Sequence, residues 1–93
     1  MIRCVVQLFG LPHEITELRE MEVKLKDGAD LRDVIAALRR KIPALERRII
    51  RAGENRLMEN CAFNINGRFY LDDTDVRLQD SDRIALLTLT TGG

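Results

Sequence analysis

The chain has 93 residues, 45% of them hydrophobic and 32% charged, which suits one packed domain and argues against disorder. Fifteen Lys and Arg cancel fifteen Asp and Glu, so no net field favours nucleic acid or an anionic membrane as a partner. Aromatic residues (Phe9, Phe63, Phe69 and Tyr70) are too few for a base-stacking platform, and no apolar run approaches a membrane span. Two cysteines do not make a disulfide framework, and Met1 to Val6 lacks a signal-peptide pattern, so a cytoplasmic location is expected.

Residues 2–9 are rich in strand formers, with Ile2, Cys4, Val6 and Leu8 on one face and Arg3, Val5, Gln7 and Phe9 on the other. Gly10 and Pro12 break the run, and residues 21–26 alternate again through Met21, Val23 and Leu25. The two runs predict a hairpin with a long loop at 10–20. Asp27-Gly28 signals a turn. Asp30 then reads as a helix N-cap, with Asp33 in the first turn. Leu31, Val34, Ile35, Leu38 and Ile42 carry the spacing of one buried helical face. Arg39, Arg40 and Lys41 suit the C-terminal end of the dipole. Pro43 ends this helix or starts a short second one through Leu45 and Ile49, and residues 52–55 read as a loop. Cys61, Phe63 and Ile65 face inward on a strand over 61–66, Asn66-Gly67 predicts a tight hairpin, and residues 68–71 return. A polar crossover from Asp72 to Asp82 leads to a last strand over 83–89.

The order β-β-α-β-β-β predicts an α+β domain of the β-grasp, ubiquitin-like kind: a mixed sheet of four to five strands with one main helix packed on one face. Such a sheet needs its first and last strands as central parallel neighbours. Residues 1–89 form the predicted domain and residues 90–93 a flexible tail.

The chain ends Thr90-Thr91-Gly92-Gly93 directly after a strand. Two glycines fall at two given positions by chance in about 0.5% of chains. Without Cβ atoms they let an extended tail enter a channel too narrow for other side chains, with Thr91 and Gly92 giving access and the Gly93 carboxylate reaching an activated phosphate. Beyond Thr88 the tail could reach roughly 16 Å.

The remaining candidates are weaker. Cys4 and Cys61 fall on inward strand positions and read as buried thiols, and His13 sits in the 10–20 loop with nothing tying it to either. Asp72, Asp73, Asp75, Asp80 and Asp82 do not fit a calcium loop, because Leu78 and Ile84 stand where it needs Gly and Glu. Solvated turns are expected there, with an Asx-type turn at Asp80. Arg39, Arg40, Lys41, Arg47, Arg48, Arg51 and Arg56 form a basic cluster, either a solvated helix end or a dock for an acidic partner. Val5, Phe9, Ala62, Ala85 and Leu87 lie on the sheet face that one helix cannot cover. They form either an interaction patch or a surface roofed by residues 43–60.

The opening strand ending at Phe9, the Asp27-Gly28-Ala29-Asp30-Leu31 helix entry, Phe63-Asn64-Ile65-Asn66-Gly67, the run from Leu78 to Leu87, and Gly92-Gly93 together resemble the MoaD/ThiS family of ubiquitin-like sulfur carriers. The resemblance implies that a ubiquitin-activating-like adenylyltransferase uses ATP and Mg to adenylate Gly93. A sulfur donor protein then makes a thiocarboxylate, and an acceptor enzyme such as a molybdopterin synthase large subunit takes the sulfur. It further implies that the chain binds no cofactor, is a co-substrate rather than an enzyme, and docks through the apolar sheet face. The 43–60 connection resembles the longer family members, which serve molybdopterin or cysteine synthesis more than thiamine synthesis. The tail lacks the prolines common before the glycines in the family. A ubiquitin-like modifier conjugated through Gly93 would need the same activated tail.

Overall fold

The structure is a computed structural model, described here for residues 1–71 and 73–88. In chain order these residues form β1 (Ile2–Leu8), β2 (Glu20–Leu25), α1 (Leu31–Lys41), a 3-10 turn (Pro43–Leu45), β3 (Cys61–Ile65), β4 (Arg68–Tyr70) and β5 (Arg83–Thr88). The strands lie in the order β2-β1-β5-β3-β4. β1 runs parallel to β5, pairing Val6 with Ile84 and Leu8 with Leu86. The other neighbours are antiparallel. This mixed sheet with one α-helix on one face is the β-grasp arrangement.

Local chemistry accounts for the element ends. Gly10 adopts φ +71°, a conformation that favours glycine, and ends the extended run near Leu8. At the helix entry, the Asp30 side chain accepts from the Arg32 N–H at 2.9 Å, while Asp33 Oδ2 accepts from the Asp30 N–H at 3.0 Å. That is a reciprocal cap. Arg32 also pairs with the Asp30 carboxylate at 2.6 Å, a hydrogen bond that holds the Asp30 carboxyl below its ordinary range. Asn66 and Gly67 have φ of 54° and 88°, as a two-residue hairpin turn requires, so β3 stops at Ile65 rather than Asn66. The predicted strand over 68–71 is one residue shorter, and Leu89 to Gly93 lie outside the described residues.

Cys4, Val6, Val34, Ile35, Leu38, Phe63, Ile84 and Leu86 are buried together between the helix and one sheet face. Each such side chain stabilises the fold by about 1.5–3 kcal/mol relative to exposure. Leu45, Ile49, Ile50 and Leu57 belong to the same cluster. Residues 43–60 therefore extend the core on the helix side and do not roof the opposite sheet face. The Leu31 N–H donates to the Thr74 carbonyl and the Leu78 N–H to the Ala29 carbonyl, which ties the crossover to the helix entry.

The acidic crossover differs from expectation in one detail. Asp80 makes no Asx turn; its Oδ1 accepts from the Arg3 N–H at 2.8 Å. The Asp82 N–H donates instead to the Gln79 carbonyl. The Asx turn falls at Asp73, whose Oδ1 accepts from the Asp75 N–H at 3.1 Å. Asp80 thus joins the start of β1 to the approach of β5, a long-range bond that local pattern does not show.

Candidate functional site

Strand alternation turns a second set of side chains away from the helix. β1 and β5 are parallel, so Thr88, the last described residue, lies beside Phe9 and Gly10. The Phe9 N–H donates to the Leu86 carbonyl at 3.1 Å, and a Cβ on Gly10 would lie 3.3 Å from Thr88 Oγ1. On the other side Thr88 pairs with Cys61. The register places Leu87 opposite Ala62, and Ala85 opposite Asn64. The described chain therefore ends in a central strand, with the apolar side chains of Phe9 and Leu87 on the open face beside that end.

The structure brings together the five residues expected there but does not expose them equally. Phe9 is 49% exposed, while Val5, Ala85 and Leu87 are half-buried. Ala62 is a correction. It is 0% exposed yet lies outside the helix-side core, so it supports the face from beneath and cannot itself touch a partner. Phe69 is the residue that sequence reasoning missed. It pairs with Asn64, which puts it on the open face, and it is 56% exposed. The alternation of Phe69 with half-buried Tyr70 across the short return strand carried that signal.

The other candidates part from this site. Cys4 and Cys61 are buried, and burial pushes both thiols above their ordinary range, with the Asp82 charge adding to the effect at Cys4. Neither setting favours a thiolate nucleophile. His13 is exposed in the β1–β2 loop. The basic cluster divides. Arg39 Nη1 donates to Asn55 Oδ1 at 2.7 Å, and Nη2 donates to the Arg51 carbonyl at 3.3 Å and to the Glu54 carbonyl. Its Nε sits 3.1 Å from Glu46 Oε2 without a directed hydrogen bond, so that contact is electrostatic. Arg51 Nε donates to the Leu57 carbonyl at 3.0 Å. Arg39 and Arg51 are thus internal staples for the 46–57 segment, whereas Arg40, Lys41 and Arg47 are exposed. Among the described residues no helix is long and apolar enough to cross a membrane.

A ubiquitin-like β-grasp domain with an apolar open face beside the end of its last strand is the class that this geometry defines. The chain belongs to the ThiS family, whose model matches residues 6–93. It is 26% identical over 88 residues to the molybdopterin synthase sulfur carrier subunit of Chlamydomonas reinhardtii, covering 95% of each chain. Its structure is similar to that of the small archaeal modifier protein 1 of Methanosarcina acetivorans, with a TM-score of 0.75, 28% identity, and coverage of 100% of this chain and 98% of that one. It also matches the complex of subunits 1 and 2 of molybdopterin-converting factor from Helicobacter pylori, with a TM-score of 0.64, 24% identity, and coverage of 99% and 100%.

Proposed function

We propose that this protein is a sulfur carrier whose Gly93 carboxylate is adenylated by a partner enzyme and converted to a thiocarboxylate. The observation that carries the reading is the open sheet face, where exposed Phe9 and half-buried Leu87 lie beside the end of central strand β5 at Thr88. A partner seated on that face would receive the five residues that follow Thr88. Family membership and the name of the Chlamydomonas relative support the carrier reading.

In adenylation a Gly93 carboxylate oxygen attacks the α-phosphorus of ATP and pyrophosphate leaves, so that this oxygen, a poor leaving group by itself, can depart as part of AMP. Sulfide-level sulfur delivered by a donor protein then attacks the carbonyl carbon and AMP leaves, so that the thiocarboxylate at Gly93 is a polarizable nucleophile. ATP and Mg are used by the activating partner, and the carrier is a co-substrate that acts in the cytoplasm. Gly92 and Thr91 line the way into the channel. The acceptor we favour is a molybdopterin synthase large subunit, in keeping with the two-subunit complex of the Helicobacter relative. Cysteine or thiamine synthesis is the alternative route for the sulfur. The modifier relative supports a second reading, conjugation through Gly93 to a protein amine, which passes through the same adenylate.

ATP–pyrophosphate exchange with the cognate activating enzyme tests the tail. Deleting Gly93, or replacing Gly92 with Val, should abolish exchange while thermal unfolding stays unchanged. Wild-type exchange by either variant would refute the role of the glycine pair.

A further inference from the structure

The open face has an apolar end and a charged end. Strand alternation puts Arg3, Val5 and Gln7 of β1 on it, together with Arg83, Ala85 and Leu87 of β5. The β2 register adds Glu20 opposite Gln7, Glu22 opposite Val5 and Lys24 opposite Arg3. Val5 therefore lies between Glu22 on one side and Arg83 on the other. Arg3, Glu20, Glu22, Lys24 and Arg83 are exposed, and none forms an ion pair with a described residue. The two carboxylates stand on the edge strand β2, whereas Arg3 and Arg83 stand on the inner strands β1 and β5.

Two observations say what a covering surface must carry. Arg83 precedes Ala85 by two residues and Leu87 by four, so it lies about 7 Å and about 13 Å from them along β5. A standard interface takes about 800 Å² from each partner, so a surface that covers Val5, Ala85 and Leu87 covers Arg83 as well. A guanidinium covered with no carboxylate opposite it loses its water without compensation. Arg3 and Lys24 are moreover like charges set directly opposite each other, an arrangement that an added anion relieves. The carboxylates of the adjoining turns are engaged elsewhere. Asp80 Oδ1 accepts from the Arg3 N–H, Asp82 Oδ2 accepts from the Gln79 N–H, and Asp27 pairs with the N-terminal amine. Glu22 is held about 10 Å from Arg83 by the intervening strand β1.

We propose that Arg83, supported by Arg3, selects the activating enzyme by charge. The enzyme surface that seats on the open face is apolar opposite Phe9 and Leu87 and carries carboxylates opposite Arg83, about 13 Å from Leu87. Glu20 and Glu22 stay at the solvated rim beside β2. A surface with cations at the same place is rejected by repulsion from Arg83 and Arg3. The proposal rests on the reading of the open face as the docking face.

The test is ATP–pyrophosphate exchange by the cognate activating enzyme with full-chain variants, at about 0.05 and 0.5 M NaCl. Arg83→Glu should raise the KM for the carrier by about tenfold or more at unchanged kcat. Arg83→Gln should raise it by about threefold or more and flatten its salt dependence. Arg40→Glu, the same change of charge on the helix side, should leave KM within about twofold of wild type. Thermal unfolding of the exposed Arg83 variants should match wild type, and if Arg83→Glu is destabilised, Arg83→Gln decides. Leu87→Arg tests the docking reading separately. A raised KM for Leu87→Arg with wild-type KM for both Arg83 variants would keep the docking face and overturn the proposal. Wild-type KM for Leu87→Arg as well would overturn both. Equal losses from Arg83→Glu and Arg40→Glu would reduce the effect to net charge and also overturn the proposal.

Discussion

Arg39 and Arg40 are neighbours in the last turn of α1, and the structure gives them opposite fates. Arg39→Ala removes donors to Asn55, Arg51 and Glu54 together with the cation beside Glu46. A typical hydrogen bond contributes about 0.5–1.5 kcal/mol net, and one to a charged group about 1.5–3 kcal/mol. These bonds share one side chain that is 25% exposed, and an ion pair of this exposure adds little. A total of about 2–4 kcal/mol is therefore expected rather than the simple sum. For a chain of this size that lowers Tm by about 10–25 °C. Arg40→Ala, at an exposed position, should change stability by about 0.5 kcal/mol or less. Urea unfolding of both variants measures the difference, and hydrogen exchange localises it. Arg39→Ala should speed exchange at Arg51 and Met58, whose N–H groups bond to the Arg56 and Ile49 carbonyls. Equal stability of the two variants would refute the staple.

Leu38 is fully buried between α1 and the sheet, so Leu38→Ala should cost about 2–5 kcal/mol in chemical denaturation through the cavity it leaves. Leu87→Arg puts a charge on the half-buried open face. Stability should change by about 1 kcal/mol or less, while binding to the activating enzyme, measured by calorimetry, should fall by about 100-fold or more because the charge is desolvated in the complex. Unfolding of the isolated variant would move the register of β5 by one residue. Cys4 and Cys61 are raised above the ordinary thiol range, so the fold favours the neutral form. Their contribution is complete below the unfolded value of about 8.5 and is lost as pH climbs from there toward the folded values. Cys4→Ala should flatten the fall in unfolding free energy between about pH 8 and pH 10.

Periodicity made most of the fold legible. The alternations over β1, β2 and β3 and the helical spacing from Leu31 to Leu38 each describe a face that must be buried, and the parallel β1–β5 pair follows from one helix covering one side of a mixed sheet. Short-range signals worked where the chemistry is local, as at Asp30 with Asp33 and at Asn66-Gly67. What the sequence hid was long-range. Arg39 looks like any solvated helix-end cation until residues 51–55 return beside it, and Asp80 looks like a turn former until the Arg3 amide is placed against it. Ala62 was assigned to the correct face, but its lack of accessible surface depends on how closely its neighbours pack. The residues beside the end of β5 were legible as an outward set.

Sulfur chemistry at Gly93 would be read out by intact-mass analysis of the protein purified from its native cells. A fraction of the chain should carry a sulfur-for-oxygen increment, and fragmentation should place it on the C-terminal carboxyl of Gly93. A chain found only as the free carboxylate, or only as an adduct on protein amines, would contradict it.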